Sequence, residues 1–189
     1  MKRNFKLFIV LIVLGIVLVS IFTIWSISQN KISYEEPQEA LLAENKNLIL
    51  IPAYKKQGEA LYFFIKDSNN IGAAMVKKGL FGWKSDYLVW STTVDTITDE
   101  QIRDYQTYGE EIIFGLMKNG QDLTVMIDDM PSGKINLEVS LYKESVEMDL
   151  KNVYLWYFET DNLSNINELQ LHLVNQNTNE KLDSYPFTY

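Results

Sequence analysis

The sequence predicts a mainly β domain behind an N-terminal transmembrane helix: one short helix follows the span, then an antiparallel β-sheet or sandwich, with α+β as the alternative class. Three observations carry that prediction. Leu7 to Ile27 holds no charged residue. Beyond it come about ten short apolar runs, many with β-branched or aromatic residues, separated by turn-forming residues. There is no cysteine, so no disulfide or thiolate-bound metal can staple the domain and packing must hold it.

The apolar run comprises 21 residues. At a helical rise of about 1.5 Å per residue it reaches about 32 Å, enough to cross a hydrocarbon core of about 30 Å. Lys2, Arg3 and Lys6 precede it without an acid, which argues for a cytoplasmic N-terminus and a single-pass protein of the cell membrane with its C-terminal part outside. Residues 1–28 are then cytoplasmic end plus anchor, residues 29–189 the extracytoplasmic domain, and Trp25 lies near the outer interface. The alternative is a cleaved signal peptide, for which Ser26-Ile27-Ser28 offers a small-x-small site near Ser28 and a secreted product. The apolar run exceeds the usual signal-peptide core of about 7–15 residues, which favours the anchor.

All 25 acids lie beyond the anchor with 14 of the 17 basic residues, a formal charge of −11 for the outer part. Such a surface lacks the basic footprint that phosphate backbones require, so nucleic acid is not an expected partner.

In order along the chain, Pro37 sits where a first helical turn accepts proline, and Ala40, Leu41 and Leu42 give an apolar side, so Tyr34 to about Glu44 reads as linker plus short helix. The strand candidates are LILIPAY, ALYFFIK, IGAAMVKKG, SDYLVWSTT, EIIFGLMK, DLTVMID, KINLEVSLYK, NVYLWYFET, ELQLHLVN and LDSYPF. The clearest alternation sets Ile135, Leu137, Val139 and Leu141 against Asn136, Glu138, Ser140 and Tyr142, predicting one buried and one wet strand face. DSNN at 67–70, KNGQD at 118–122 and PSGK at 131–134 carry hairpin turn chemistry. TDEQIRDYQTYGEE reads as a helical turn or a long surface loop.

Catalytic chemistry is sparse. His172 is the single histidine, and if Leu169, Leu171 and Leu173 face the core it points to the opposite face. One histidine without cysteine leaves too few of zinc's preferred ligands. Asp99 with Glu100, Glu110 with Glu111 and Asp128 with Asp129 are adjacent pairs, and neighbours on a strand point to opposite faces. Asp128 and Asp129 lack the calcium-loop pattern. Ser132-Gly133-Lys134 lacks the glycine spacing and the following hydroxyl of a phosphate loop. The layout of anchor, outer β domain and serine-lysine pair resembles type I signal peptidases, but their Ser-Met-x-Pro-Thr and Gly-Asp-Asn motifs are absent. The expectation is therefore no catalytic residue, no metal and no cofactor, with a hydrolase assembled from distant carboxylates as the alternative.

The segment KKGLFGWK, residues 77–84, is the candidate binding site: Lys77, Lys78, Leu80, Phe81, Trp83 and Lys84. Gly79 and Gly82 permit a bend between neighbouring strands. In one reading Phe81 and Trp83 fold inward and the lysines stay in water. In the other, cations beside Leu, Phe and Trp form an interfacial contact with a lipid, a wall polymer or a membrane protein. From PQEALL through IPAY, ALYFFIK and IGAAMVKKGLFGWK, extending loosely to NVYLWYFET, the chain resembles small membrane-attached or secreted proteins of Gram-positive bacteria, particularly bacilli, that carry a KKxLFGWK-like stretch. That resemblance implies a cell-envelope location and a short helix before β-rich sequence, and it transfers no catalytic residue. The expected function is a membrane-anchored, non-enzymatic interaction or scaffolding module of the cell envelope.

Overall fold

A computed structural model describes residues 2–67, 69–92, 102, 105–144, 148–160 and 169–187. The apolar run lies in α1 (Lys2–Lys31), which continues past Ile27 to the edge of the domain. Two hydroxyls in the apolar run are satisfied within the helix, Ser20 Oγ donating to the Ile16 carbonyl at 2.9 Å and Thr23 Oγ1 to that of Val19 at 2.8 Å, as an apolar surrounding favours. Over Leu11–Lys31 the mean hydropathy is 2.5 and no residue is buried against the domain. A helix of this length and composition spans a membrane or serves as a signal sequence. The short helix α2 (Pro37–Glu44) starts on its proline, and the Glu36 N–H donates to the Glu39 carboxylate at 3.3 Å.

Three antiparallel four-stranded sheets follow. The first is a meander of β1 (Ile49–Lys56), β2 (Glu59–Lys66), β3 (Asn70–Gly79) and β4 (Gly82–Thr92) in that order. The second is ordered β5 (Gln106–Tyr108), β6 (Ile112–Lys118), β10 (Val153–Glu159), β9 (Gly133–Asn136). The third is ordered β12 (Lys181–Phe187), β11 (Leu169–Asn175), β7 (Leu123–Ile127), β8 (Met130–Pro131).

Their faces explain the sequence runs. One face of the first sheet meets the second through Phe63, Ile65 and Met75 against Phe114, Leu116 and Leu155. The other face of the second sheet, with Ile113, Met117 and Trp156, meets Val125, Ile127, Leu171 and Leu173 of the third. The outer face of the first sheet, with Tyr62, Phe64, Ala74 and Val76, is covered by Ala40 and Leu41 of α2. The layers therefore run α2, first sheet, second sheet, third sheet. Strands β2, β3 and β6 are covered on both sides, which is why ALYFFI, IGAAMV and IIFGLM read as unbroken apolar runs. Gly115 pairs with Trp156, and an added Cβ would stand 2.9 Å from the indole.

The mainly β class holds, and several details depart from the sequence reading. The cleanest predicted alternation is not a single strand. After β9 the chain turns into α3 (Leu137–Ser140), where the Asn136 side chain accepts from the Val139 N–H at 3.2 Å. Leu137 and Leu141 are buried at helical i,i+4 spacing, while Val139 is 73% and Tyr142 80% exposed. DSNN joins the paired strands β2 and β3. KNGQD and PSGK instead carry the chain between the second and third sheets, because β6 and β9 belong to one and β7 and β8 to the other. Part of the presumed loop 98–111 is strand β5, with Tyr108 and Ile102 buried. Asp99 and Glu100 lie outside the described residues.

Candidate functional site

KKGLFGWK forms the end of the β3–β4 hairpin. Lys77 pairs with Lys84, Lys78 with Trp83 and Gly79 with Gly82, leaving Leu80 and Phe81 as the tip. Gly82 adopts φ +129°, a region that L side chains avoid, and its missing Cβ makes room for the Tyr34 carbonyl. That space is used. Tyr34, in the linker between α1 and α2, forms an isolated antiparallel bridge with Trp83, its N–H donating to the Trp83 carbonyl at 2.9 Å and its carbonyl accepting from the Trp83 N–H at 2.8 Å.

The six candidate residues have different fates. Trp83 is 3% exposed and packs with Ala40, Leu41 and Val76, so it is a core residue. Lys55 and Lys78 bring ammonium groups 5.5 and 5.7 Å from its ring centroid. Phe81 is half-buried, and its ring meets Trp25 of α1 edge-on with centroids 5.6 Å apart. Lys84 Nζ donates to Gln29 Oε1, also on α1. Leu80 is 91% exposed. Lys77 and Lys78 are exposed, and Lys77 stands 3.8 Å from the Asp86 carboxylate. The inward reading thus describes Trp83. It does not describe Phe81 and Lys84, which turn to the chain's own apolar helix.

Sequence reasoning missed this partnership because Gln29 and Lys84 are 55 positions apart and no local spacing couples them. It also missed a row across the first sheet. Lys56 pairs with Glu59, Glu59 with Lys77, and Lys77 with Lys84, so one register line at this end carries three lysines and one acid.

The other predicted features take structural places. His172 lies between buried Leu171 and Leu173 on the opposite face, and its Nδ1 is 3.0 Å from Ser184 Oγ. Asp128 occupies a left-handed turn, accepts from the Gln170 N–H at 3.2 Å and returns its own N–H to the Gln170 carbonyl. Lys134 is in strand β9 rather than a turn, and Nζ is held by the carbonyls of Gly120 and Leu123 and by Gln176 Oε1. Burial pushes its ammonium pKa down. A groove of about 420 Å³ between the first two sheets is lined by Tyr54, Lys56, Glu59, Glu111 and Glu159 among others. Lys56 stands 3.8 Å from Glu59 and 3.4 Å from Glu159 there. Burial, then the hydrogen bond to Glu159, pushes the Tyr54 phenol well up. Among the described residues no three His, Asp or Glu side chains are grouped to hold a metal ion. No family model, curated protein or solved structure matches this chain.

Proposed function

We propose that the chain is a membrane-anchored, extracytoplasmic interaction or scaffolding module of the cell envelope, acting by binding rather than by catalysis. The observation that supports this reading best is the double attachment of the domain to its apolar helix. The backbone enters the first sheet through the Tyr34–Trp83 bridge. The β3–β4 tip then returns to α1 through Phe81 on Trp25 and Lys84 on Gln29. A domain held by one flexible linker samples many orientations, whereas attachment at two points fixes which end faces the bilayer and which faces outward. A fixed orientation is what presentation of a binding face at a membrane needs.

The absence of cysteine makes the test direct. Single cysteines replacing the exposed Val139 and Tyr142 are treated in intact cells with a membrane-impermeant maleimide. The reading expects labelling without lysis and a chain that stays with the membrane fraction at full mass. Labelling only after lysis, or release of a shortened chain, contradicts it.

A further inference from the structure

We infer that the hairpin end of the domain is a lipid-docking foot, with Leu80 inserted at the interface of the bilayer that α1 crosses and Lys31 and Lys78 engaging anionic headgroups. The inference rests on the anchored reading above and names the surface the domain is seated on.

Height is the first argument. The Phe81 ring touches Trp25, which lies inside the apolar run of α1, so the hairpin tip stands level with the last apolar turns of the span and not above them. Tryptophan favours the headgroup level of a bilayer, and Phe22, with its centroid 5.8 Å from Trp25, continues the aromatic patch inward. Leu80 is adjacent to Phe81 and 91% exposed. A leucine presented to water at a hairpin tip is unfavourable, and lipid at that height is the apolar phase already beside it.

Charge is the second argument. Six of the 14 basic residues outside the span lie at this end: Lys31, Lys55, Lys56, Lys77, Lys78 and Lys84. Lys55 is paired with Glu36 at 2.6 Å, Lys56 with Glu159 and Glu59, and Lys77 with Asp86. Lys31, Lys78 and Lys84 form no ion pair among the described residues. Acids share this end, Glu36, Glu59, Asp86 and Glu159 within those pairs and Glu110 and Glu111 along a groove with Lys77, so the cations outside ion pairs beside the tip are Lys31, Lys78 and Lys84. Each lysine near an anionic surface strengthens docking roughly fivefold.

The test uses the full chain in phosphatidylcholine vesicles with and without phosphatidylglycerol. An environment-sensitive fluorophore is placed on Leu80→Cys and, as reference, on Asp67→Cys. The reference lies in the opposite turn of the first sheet, about 30 Å away along the ten residues of β3. A spin-labelled lipid is the quencher. The expected result is quenching at 80 and not at 67, stronger with phosphatidylglycerol, and weakened by high salt and by Lys31→Glu with Lys78→Glu. Both lysines are exposed and neither forms an ion pair among the described residues, while Lys78 stands over the Trp83 ring, so circular dichroism and the urea midpoint of the double variant verify that the fold is kept. No quenching at 80 in either vesicle overturns the docking. Equal quenching with and without phosphatidylglycerol overturns the headgroup assignment. Either failure leaves the labelling of positions 139 and 142 in cells unaffected, so the anchored reading stands or falls separately.

Discussion

The two glycines flanking the hairpin tip should respond in opposite directions to the same added methyl. At Gly82 an ideal Cβ would lie 2.5 Å from the Tyr34 carbonyl oxygen and 3.3 Å from the Tyr34 nitrogen and carbonyl carbon, on a backbone with φ +129°. These are backbone atoms and cannot rotate aside. Gly82→Ala must hold a strained conformation, at about 1–3 kcal/mol, or push Tyr34 off the sheet edge and lose two hydrogen bonds worth about 0.5–1.5 kcal/mol each. By either route the cost is about 2 kcal/mol. At Gly79 the nearest atom to an added Cβ is the Gly82 carbonyl oxygen at 3.8 Å, an ordinary contact, without a left-handed backbone. Gly79→Ala should therefore be neutral or gain about 0.4–1 kcal/mol by restricting the unfolded chain. Urea unfolding of the full chain in detergent micelles, followed by tryptophan fluorescence, measures both. A Gly82→Ala midpoint equal to that of the parent, or a Gly79→Ala loss as large as that of Gly82→Ala, would refute the bridge as the feature that requires glycine.

Three further outcomes follow from the packing. Asn136→Ala should lose about 1 kcal/mol in the same urea assay, while Asn136→Asp, which keeps an oxygen for the Val139 N–H, should retain most of it. Lys134→Met should destabilise by roughly 1–3 kcal/mol, because the Gly120 and Leu123 carbonyls lose their shared donor at the crossover between the second and third sheets. Burial pushes the Tyr108 phenol up to about 12, so between its unfolded value near 10 and about 12 the unfolded chain releases the proton first. The stability this tyrosine contributes is complete below pH 10 and lost as pH rises towards 12. Thermal unfolding across that window should show a smaller decline for Tyr108→Phe than for the parent.

What was legible in the sequence was what depends on neighbours in the chain. The uncharged run, Pro37 opening α2 and most strand positions were all readable, since each rests on composition or on period within a few residues. Layering was not. An apolar run such as IIFGLM states that both faces of a strand are covered but not by which sheets. KNGQD states that the chain turns, not that it leaves one sheet for another. In LEVSLYK the alternation and the i,i+4 pair Leu137–Leu141 coexist, and the Asn136 cap selected the helix. The candidate site was legible as a composition at 77–84. That Phe81 and Lys84 would meet α1, and that Trp83 would pair with Tyr34, required the fold, since those partners lie about fifty residues away in sequence.

If the hairpin and the apolar helix form one unit, a photo-crosslinking benzoylphenylalanine at position 81 of the full chain, expressed in cells, must react with that helix. The ring it replaces lies with its centroid 5.6 Å from that of Trp25. The expected result is a dominant intramolecular adduct, located by mass spectrometry on the α1 peptide that contains Trp25. Adducts confined to another protein or to a wall polymer, with none on α1, would contradict it.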